Sequence, residues 1–270
     1  MRPADVKALS EFAHELRLIV LDQSKRAHVG HIGSELSIVD LIAVLYGHVL
    51  RIEAPTAPDR DRFILSKGHA ALTLYGALAL RGVIPTVALD TYCADDSLLG
   101  VHPEVALDGV DVSTGSLGQG LSIGTGSALA GRILGTSHRV FVLLSDAECN
   151  EGSVWEAAAF AAHNRLGNLT AVIDLNGQQA LGYTDEVLSM SPMAPRWQSF
   201  GWDVHEVPGH DIAALVETFD ALDHRSDTPH VIIAKTTFGH GVDFMENQIK
   251  WHYLPMSDDQ YASAITQVRR

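Results

Sequence analysis

The chain has 270 residues, 46% of them hydrophobic, which is enough for one large α/β domain with a sizeable core and argues against disorder. Lys and Arg number 19 against 33 Asp and Glu, a formal charge of −14 that disfavours nucleic acid and anionic membrane as partners, so an anionic ligand must be held locally by backbone amides, histidines or a metal. Two cysteines, Cys93 and Cys149, exclude a disulfide framework and a four-cysteine zinc site; MRPADVKALSEF lacks a signal-peptide core, and no apolar run nears the roughly 18–20 residues of a membrane span, so a cytoplasmic protein is expected.

Helical spacing of Val6, Leu9, Phe12, Ala13, Leu16, Ile19 and Val20 predicts a first helix over about 4–27. The break AHVGHIGSE follows, and a second apolar helix is expected from about Leu36 to Leu50. EAPTAPDRDR is a loop, with two prolines and mixed charge. After FILSKG a helix is expected from near His69 to near Gly82, and 90–112 reads as irregular. STGSLGQG then leads into an Ala/Gly/Ser-rich helix ending near Leu134. Beyond it the pattern becomes strand–helix alternation. RVFVLLS and LTAVIDLN are continuous apolar runs, the mark of strands buried on both faces, with the helix GSVWEAAAFAAHNRLG between them. WDVHEV, DIAALVETFDAL and PHVIIAKTT repeat the theme, and from Phe244 a loop and a short terminal helix are expected. The fold class is α/β, a mostly parallel sheet flanked by helices.

Asp146 and Asn176 each fall just past the end of a predicted strand. Ligands of open parallel sheets sit beyond the carboxyl ends of strands, and neighbouring strands can bring a carboxylate and an amide oxygen to one point. Such hard oxygen donors suit Mg²⁺ or Ca²⁺, and two are too few for a protein-only cage, so the pair points to a phosphorylated ligand completing the shell. The same residues also fit a helix cap and a turn, and the pair alone leaves both readings open.

Gly115, Gly118, Gly120, Gly124 and Gly126 precede and enter a helix, where backbone N–H groups can meet a phosphate. The spacing from Gly118 misses the dinucleotide fingerprint by one residue, which disfavours a Rossmann NAD site; close helix packing through small residues is the other reading. His28, His31, His69 and His102 each stand in a glycine- or proline-rich turn, where imidazoles can move protons or bond ligand oxygens, and four of them suggest a shared cleft. His28-x-x-His31 lacks a convincing helical presentation, because Gly30 and Gly33 surround it. Lys67-Gly68-His69 lacks a P-loop context, no G-x-S-x-G elbow is present, and Trp155, Trp197, Trp202 and Trp251 read as core or interface aromatics.

Taken in order, these segments resemble the N-terminal half of transketolase, over nearly the whole chain, and match its split, two-subunit members best. GHIGSELS resembles the family's GHPG segment, SKGHAALTLYGAL its second histidine segment, and GVHPEVALDGVDVSTGSLGQGLS its third. SDAECNEGSVWEAAAFAAHNRLGNLTAVIDLN stands where the thiamine diphosphate signature runs from G-D-G to an Asn about 30 residues on; here Asn176 lies 30 residues after Asp146. FMENQIKWH resembles the C-terminal signature of split transketolases.

The resemblance implies thiamine diphosphate and Mg²⁺ (or Ca²⁺ or Mn²⁺) as cofactors. Asp146, Asn176 and the backbone carbonyl of Gln178 would hold the metal. His69, Gly115, Ser116, Leu117, Asp146, Ala147, Glu148 and Asn176 would line the cofactor. His31, His69, His102 and His252 would serve the reacting sugar, and Glu151 resembles the family glutamate that links paired cofactor sites. The implied activity is transfer of a two-carbon ketol unit from a ketose donor to an aldose acceptor, a glycolaldehydetransferase whose substrate is a sugar or sugar phosphate. Residues 1–270 are then expected to form one diphosphate-binding domain. A separate C-terminal transketolase subunit would carry the pyrimidine-binding domain, its activating glutamate and the C-terminal domain, in an α2β2 heterotetramer inactive without it. Two departures stand out: G-D-G reads Ser145-Asp146-Ala147, and the common Asn-Lys reads Asn176-Gly177. Alanine keeps the N–H but adds a methyl group, so weaker anchoring is one consequence. The alternatives are acyloin or condensation chemistry on the same cofactor, a non-catalytic assembly subunit with a weakened cofactor site, and a histidine-based metal hydrolase.

Overall fold

The computed structural model of the chain describes residues 4–52 and 57–269. Helix α1 spans Val6–Ala27; Asp5 caps it by accepting from the Ala8 N–H at 3.1 Å, and it ends where His28 turns left-handed. Its buried stripe of Leu9, Ala13, Leu16 and Val20 repeats at the predicted spacing. The expected second helix is broken in two, α2 (Ile32–Ser37) and α3 (Val39–Val44), because Ile38 leaves helical geometry; a π turn over Leu45–Val49 closes it. Part of the expected loop EAPTAPDRDR, residues 53–56, lies outside the described residues.

FILSKG hides a short strand, β1 (Arg62–Leu65), where only a lead-in to a helix was expected. At four residues it is too short to show a period of its own. A 3-10 turn over Gly68–Ala70 then runs into α4 (Ala71–Leu80), and 90–112 is irregular apart from the end of a 3-10 turn at Thr86–Thr91. Helix α5 (Gly120–Leu134), strand β2 (Val140–Ser145), helix α6 (Gly152–His163) and strand β3 (Leu169–Leu175) follow as predicted. After β3 the chain makes a two-residue hairpin, β4 (Gln178–Gln179) with β5 (Gly182–Tyr183), then the short helices α7 (Thr184–Val187) and α8 (Met193–Ser199). Strand β6 (Asp203–Pro208), helix α9 (Ile212–Ala221) and strand β7 (His230–Lys235) complete the sheet; α10 (Asp258–Val268) ends the chain behind a Ser257/Gln260 capping box.

The sheet order is β1-β2-β3-β7-β6, and every pairing is parallel. Successive residues of β2 face opposite cores. Phe141 and Leu143 join the core under α1 to α4 and α9, while Val140, Val142 and Leu144 join that of α5, α6 and α8. This two-sided burial explains the unbroken apolar runs. Trp197, Trp202 and Trp251 are buried, and Trp155 packs on Trp197 with ring centroids 5.2 Å apart. No helix among the described residues is long and apolar enough to cross a membrane.

Candidate functional site

All five strands run in one direction, so their following loops gather at one edge of the sheet. Ser66-Lys67-Gly68-His69 follows β1, Asp146 follows β2, Asn176 follows β3 and Thr236 follows β7. Ser145 pairs with Asp174 across β2 and β3, which brings Asp146 and Asn176 side by side. Asp146 Oδ1 accepts from the Ala147 N–H at 2.9 Å and Oδ2 from the Gly177 N–H at 2.9 Å. The helix-cap reading is therefore met too, since the Ala147 bond caps a 3-10 turn over Ala147–Asn150. Burial, and next the charge of Asp174, push the Asp146 carboxyl up to about 7, only partly offset by those two N–H groups. A cation beside Asp146 would reverse that penalty.

Asn176 is oriented from behind. Its Nδ2 donates to Asp174 Oδ2 at 2.7 Å, and its Oδ1 accepts from the Gln178 N–H at 2.9 Å. Asp174 is itself fully buried and takes Lys67 Nζ at 2.5 Å and Ser37 Oγ at 2.7 Å on Oδ2, with Thr236 Oγ1 on Oδ1. Burial alone would raise its pKa, but the Lys67 charge and these donors hold it below the usual carboxylate range. Neither Asp174 nor Lys67 was assigned a role from sequence. The available signal was an aspartate inside an apolar strand, which demands a buried cation to match it.

Two adjoining cavities meet at Asn176. One, of 310 Å³, is bounded by Asp146, Gly177, Thr184 and Thr236. The other, of 420 Å³, has His31, His69, His102 and His252 in its wall, the four that the family resemblance assigns to the reacting sugar. The rings of His31, His69 and His252 form a triangle with centroid separations of 5.4, 5.7 and 5.6 Å. His252 stacks on Phe238 at 5.3 Å, and Gly33 admits that Phe238 ring, since a Cβ there would meet it at 2.1 Å. Burial lowers the pKa of His31, of His69 and of His252, the last to about 4, with neighbouring histidines and Lys67 adding to each effect. These three rings are neutral at pH 7 and can each accept as well as donate. His28, expected in the same cleft from its glycine-rich turn, instead caps α1 and does not line it, so only three of that quartet share the cleft.

Gly115, Leu117, Ala147, Glu151 and Gln178 also line the larger cavity. Gly115 has φ +139°, and a Cβ on it would sit 2.8 Å from His102 Cδ2, so glycine lets this histidine pack against the backbone. Glu151 is exposed at the rim. Ser116 is exposed and Glu148 buried, and neither borders the two cavities. Glu148 accepts from Ser66 Oγ, from the Gly118 N–H at 2.8 Å and from the Ser145 N–H at 3.3 Å, so it ties the glycine loop to the ends of β1 and β2. Sequence reasoning also passed over Asn150, Gln179, Ala180 and Tyr253 in the wall.

The family described as "Transketolase, thiamine diphosphate binding domain" matches residues 9–268. The chain is 39% identical over 245 residues to an apulose-4-phosphate transketolase subunit of Phocaeicola vulgatus, covering 90% of this chain and 87% of that protein. It is 34% identical over 265 residues to 6-deoxy-6-sulfo-D-fructose transketolase subunit SqwG of a Clostridium species, covering 97% and 96%. Its fold superposes on transketolase of Campylobacter jejuni with a TM-score of 0.93 at 29% identity, and on that of Leishmania mexicana with 0.91 at 27%. The two superpositions cover 98% and 99% of this chain but only 43% and 42% of the solved chains. The sheet, the strand-end Asp and Asn, and the ordered glycine and histidine segments agree with that match, and the chain belongs to the transketolase family, within which it corresponds to the thiamine diphosphate-binding domain.

Proposed function

We propose that this chain is the diphosphate-binding subunit of a cytoplasmic transketolase-type glycolaldehydetransferase, which moves a two-carbon ketol unit from a ketose to an aldose. The observation that carries the reading is the meeting of Asp146 and Asn176 beside a cleft walled by four histidines. The donor set fits a divalent ion: a buried carboxylate beside Asp174, and an amide oxygen whose orientation Asp174 fixes. Asp146, Asn176 and the Gln178 carbonyl would hold Mg²⁺, or Ca²⁺ or Mn²⁺ in its place. His69, Gly115, Leu117 and Ala147 would line the cofactor, whose thiazolium ring supplies the carbanion chemistry when bound. Ser116 and Glu148 fit this lining less directly; Glu148 supports it by holding the Gly118 loop. His31, His102 and His252 orient donor hydroxyls and carry protons at their ring nitrogens as alkoxides form and collapse. Glu151, exposed at the rim, would couple this site to a second cofactor site.

The partner would be a separate chain carrying the pyrimidine-binding and C-terminal domains, in an α2β2 heterotetramer. Supporting this, the relatives of similar length are named as subunits of transketolases. The test is titration calorimetry of thiamine diphosphate into the chain with its partner, with and without Mg²⁺. Binding that requires Mg²⁺ and disappears in Asp146→Ala is expected. Binding with no dependence on Mg²⁺ or on Asp146, or full ketol transfer by the chain alone, defeats the corresponding part of the proposal.

A further inference from the structure

Two histidines and an aspartate at the start of β6 and β7 lie away from the proposed chemistry. Asp203 and His230 are the first residues of these strands and pair in register, whereas Asp146 and Asn176 follow the last residues of β2 and β3. The group therefore stands at the opposite edge of the parallel sheet, on its outermost strand. Side chains two apart on a strand share a face, and so do directly paired residues of neighbouring strands. Asp203, His205 and His230 accordingly project together. One carboxylate oxygen, Asp203 Oδ2, lies 2.9 Å from His205 Nε2 and 2.9 Å from His230 Nδ1, and all three atoms are within 4.8 Å of one another. The Asp203 side chain is 46% exposed and that of His205 29%, so solvent reaches the group, while His230 at 3% anchors it.

The hydrogen bonds define what this arrangement requires. His230 Nε2 lies 3.2 Å from the Asp223 carbonyl, which can only accept, so Nε2 carries the proton. In the neutral ring Nδ1 is then a lone pair, and it faces a carboxylate oxygen at 2.9 Å. Two acceptors at that distance repel unless a second ring proton or a metal ion stands between them. An imidazole whose far N–H is held by a backbone carbonyl, with its near nitrogen beside a carboxylate, is the usual setting of a metal ligand. Asp40, His210 and His240 lie equally close together but lack this setting. Arg17 Nη2 already holds both Asp40 oxygens, at 3.1 and 3.2 Å, and His210 Nε2 accepts from the Thr237 N–H at 2.8 Å. The His210 and His240 rings also stack, with centroids 3.5 Å apart and planes 16° apart, so their lone pairs run side by side rather than converge.

We propose that Asp203, His205 and His230 form a binding site for one divalent transition-metal ion such as Zn²⁺, with water completing its shell. Two imidazoles and one carboxylate are a usual zinc donor set, whereas Mg²⁺ favours oxygen donors. The ion would fasten the edge strand β6 to β7, and the site is independent of the function proposed above. The test titrates the full chain with Zn²⁺ by calorimetry in excess Mg²⁺, which occupies sites built of oxygen alone. Crystals soaked in Zn²⁺ are then measured by anomalous scattering at the zinc edge. A Zn²⁺ ion is expected about 2.0–2.2 Å from Asp203 Oδ2, His205 Nε2 and His230 Nδ1. His205→Ala and Asp203→Asn are each expected to weaken binding at least about tenfold with an unchanged circular dichroism spectrum. If a variant misfolds, the anomalous signal of the wild type decides. No Zn²⁺ at these three atoms, or a loss of less than about tenfold in a folded variant, means that a proton alone joins His230 to Asp203, and overturns the proposal.

Discussion

Asp174→Asn is expected to destabilise the fold by about 3–5 kcal/mol, although Asp174 reaches neither of the two cavities. Asp174 and Lys67 are both 0% exposed, with Nζ 2.5 Å from Oδ2. Lys67 Nζ has one other bond, to the Ser34 carbonyl at 3.2 Å. Neutralising the aspartate removes the charge that balances this buried ammonium, and sets an amide NH₂ group against at least one of Ser37, Asn176, Thr236 and Lys67, all of them donors to this carboxylate. For a domain of this size the loss corresponds to a fall of about 6–20 °C in melting temperature. Urea and thermal unfolding of the ligand-free chain would measure it. Removing the whole pair, as Lys67→Met with Asp174→Leu, is expected to recover at least half of the loss, because no charge is then left buried. Asp174→Asn should also weaken Mg²⁺-dependent cofactor binding by about 10–100-fold, since Asn176 loses the bond that fixes its orientation. The depressed Asp174 pKa gives the sign of the pH effect. Its stabilisation is complete above the ordinary carboxylate pKa and is lost as pH falls through the folded value, so Asp174→Asn should flatten the acid limb of stability. An Asp174→Asn chain within about 1 kcal/mol of wild type would refute the reasoning that the pair is a mutually dependent buried ion pair.

Asp61 is a second, independent acid sensor. Burial raises its pKa, but the guanidinium groups of Arg139 and Arg51 outweigh it and bring the carboxyl down from 3.8 to about 2. That difference, at about 1.4 kcal/mol per pH unit, contributes about 2 kcal/mol above the unfolded pKa, lost as pH falls from about 5 to about 2; acid titration of Asp61→Asn should lack this component. His252, lowered to about 4, should show an NMR titration midpoint near 4 in the ligand-free chain; its contribution is present above the ordinary 6.5 and is lost as pH falls through 4, and a midpoint near 6.5 would contradict its burial. Gly115→Ala is expected to lower kcat/KM of the assembled enzyme at least tenfold, about 1.4 kcal/mol, because the new methyl group meets His102 at 2.8 Å and φ is +139°. A kinetically silent Gly115→Ala would separate His102 from the reaction.

The strands β2, β3, β6 and β7 and helices α1, α5, α6 and α9 were legible because burial imposes a period, or a continuous apolar run, over several turns of chain. β1 and the β4–β5 hairpin are too short to carry such a signal, and the interruption at Ile38 follows from backbone geometry that an apolar sequence does not reveal. The site divides in a similar way. Asp146, Asn176 and the four histidines could be named from strand ends, glycine-rich turns and the ordered family segments. Lys67 and Asp174 could not, because what sets them apart is their pairing in three dimensions.

By itself the sequence determined the α/β architecture and the family, since both follow from local patterns and from motifs kept in a fixed order. Only the tertiary structure decided which of those residues share a cleft. The parallel register of β2 and β3 puts Asp146 beside Asn176. Lys67, 107 residues before Asp174, is the only cation that reaches its carboxylate among the described residues. Such contacts join positions far apart in the chain, and their strength depends on exclusion of water, a property of the packed molecule rather than of any segment.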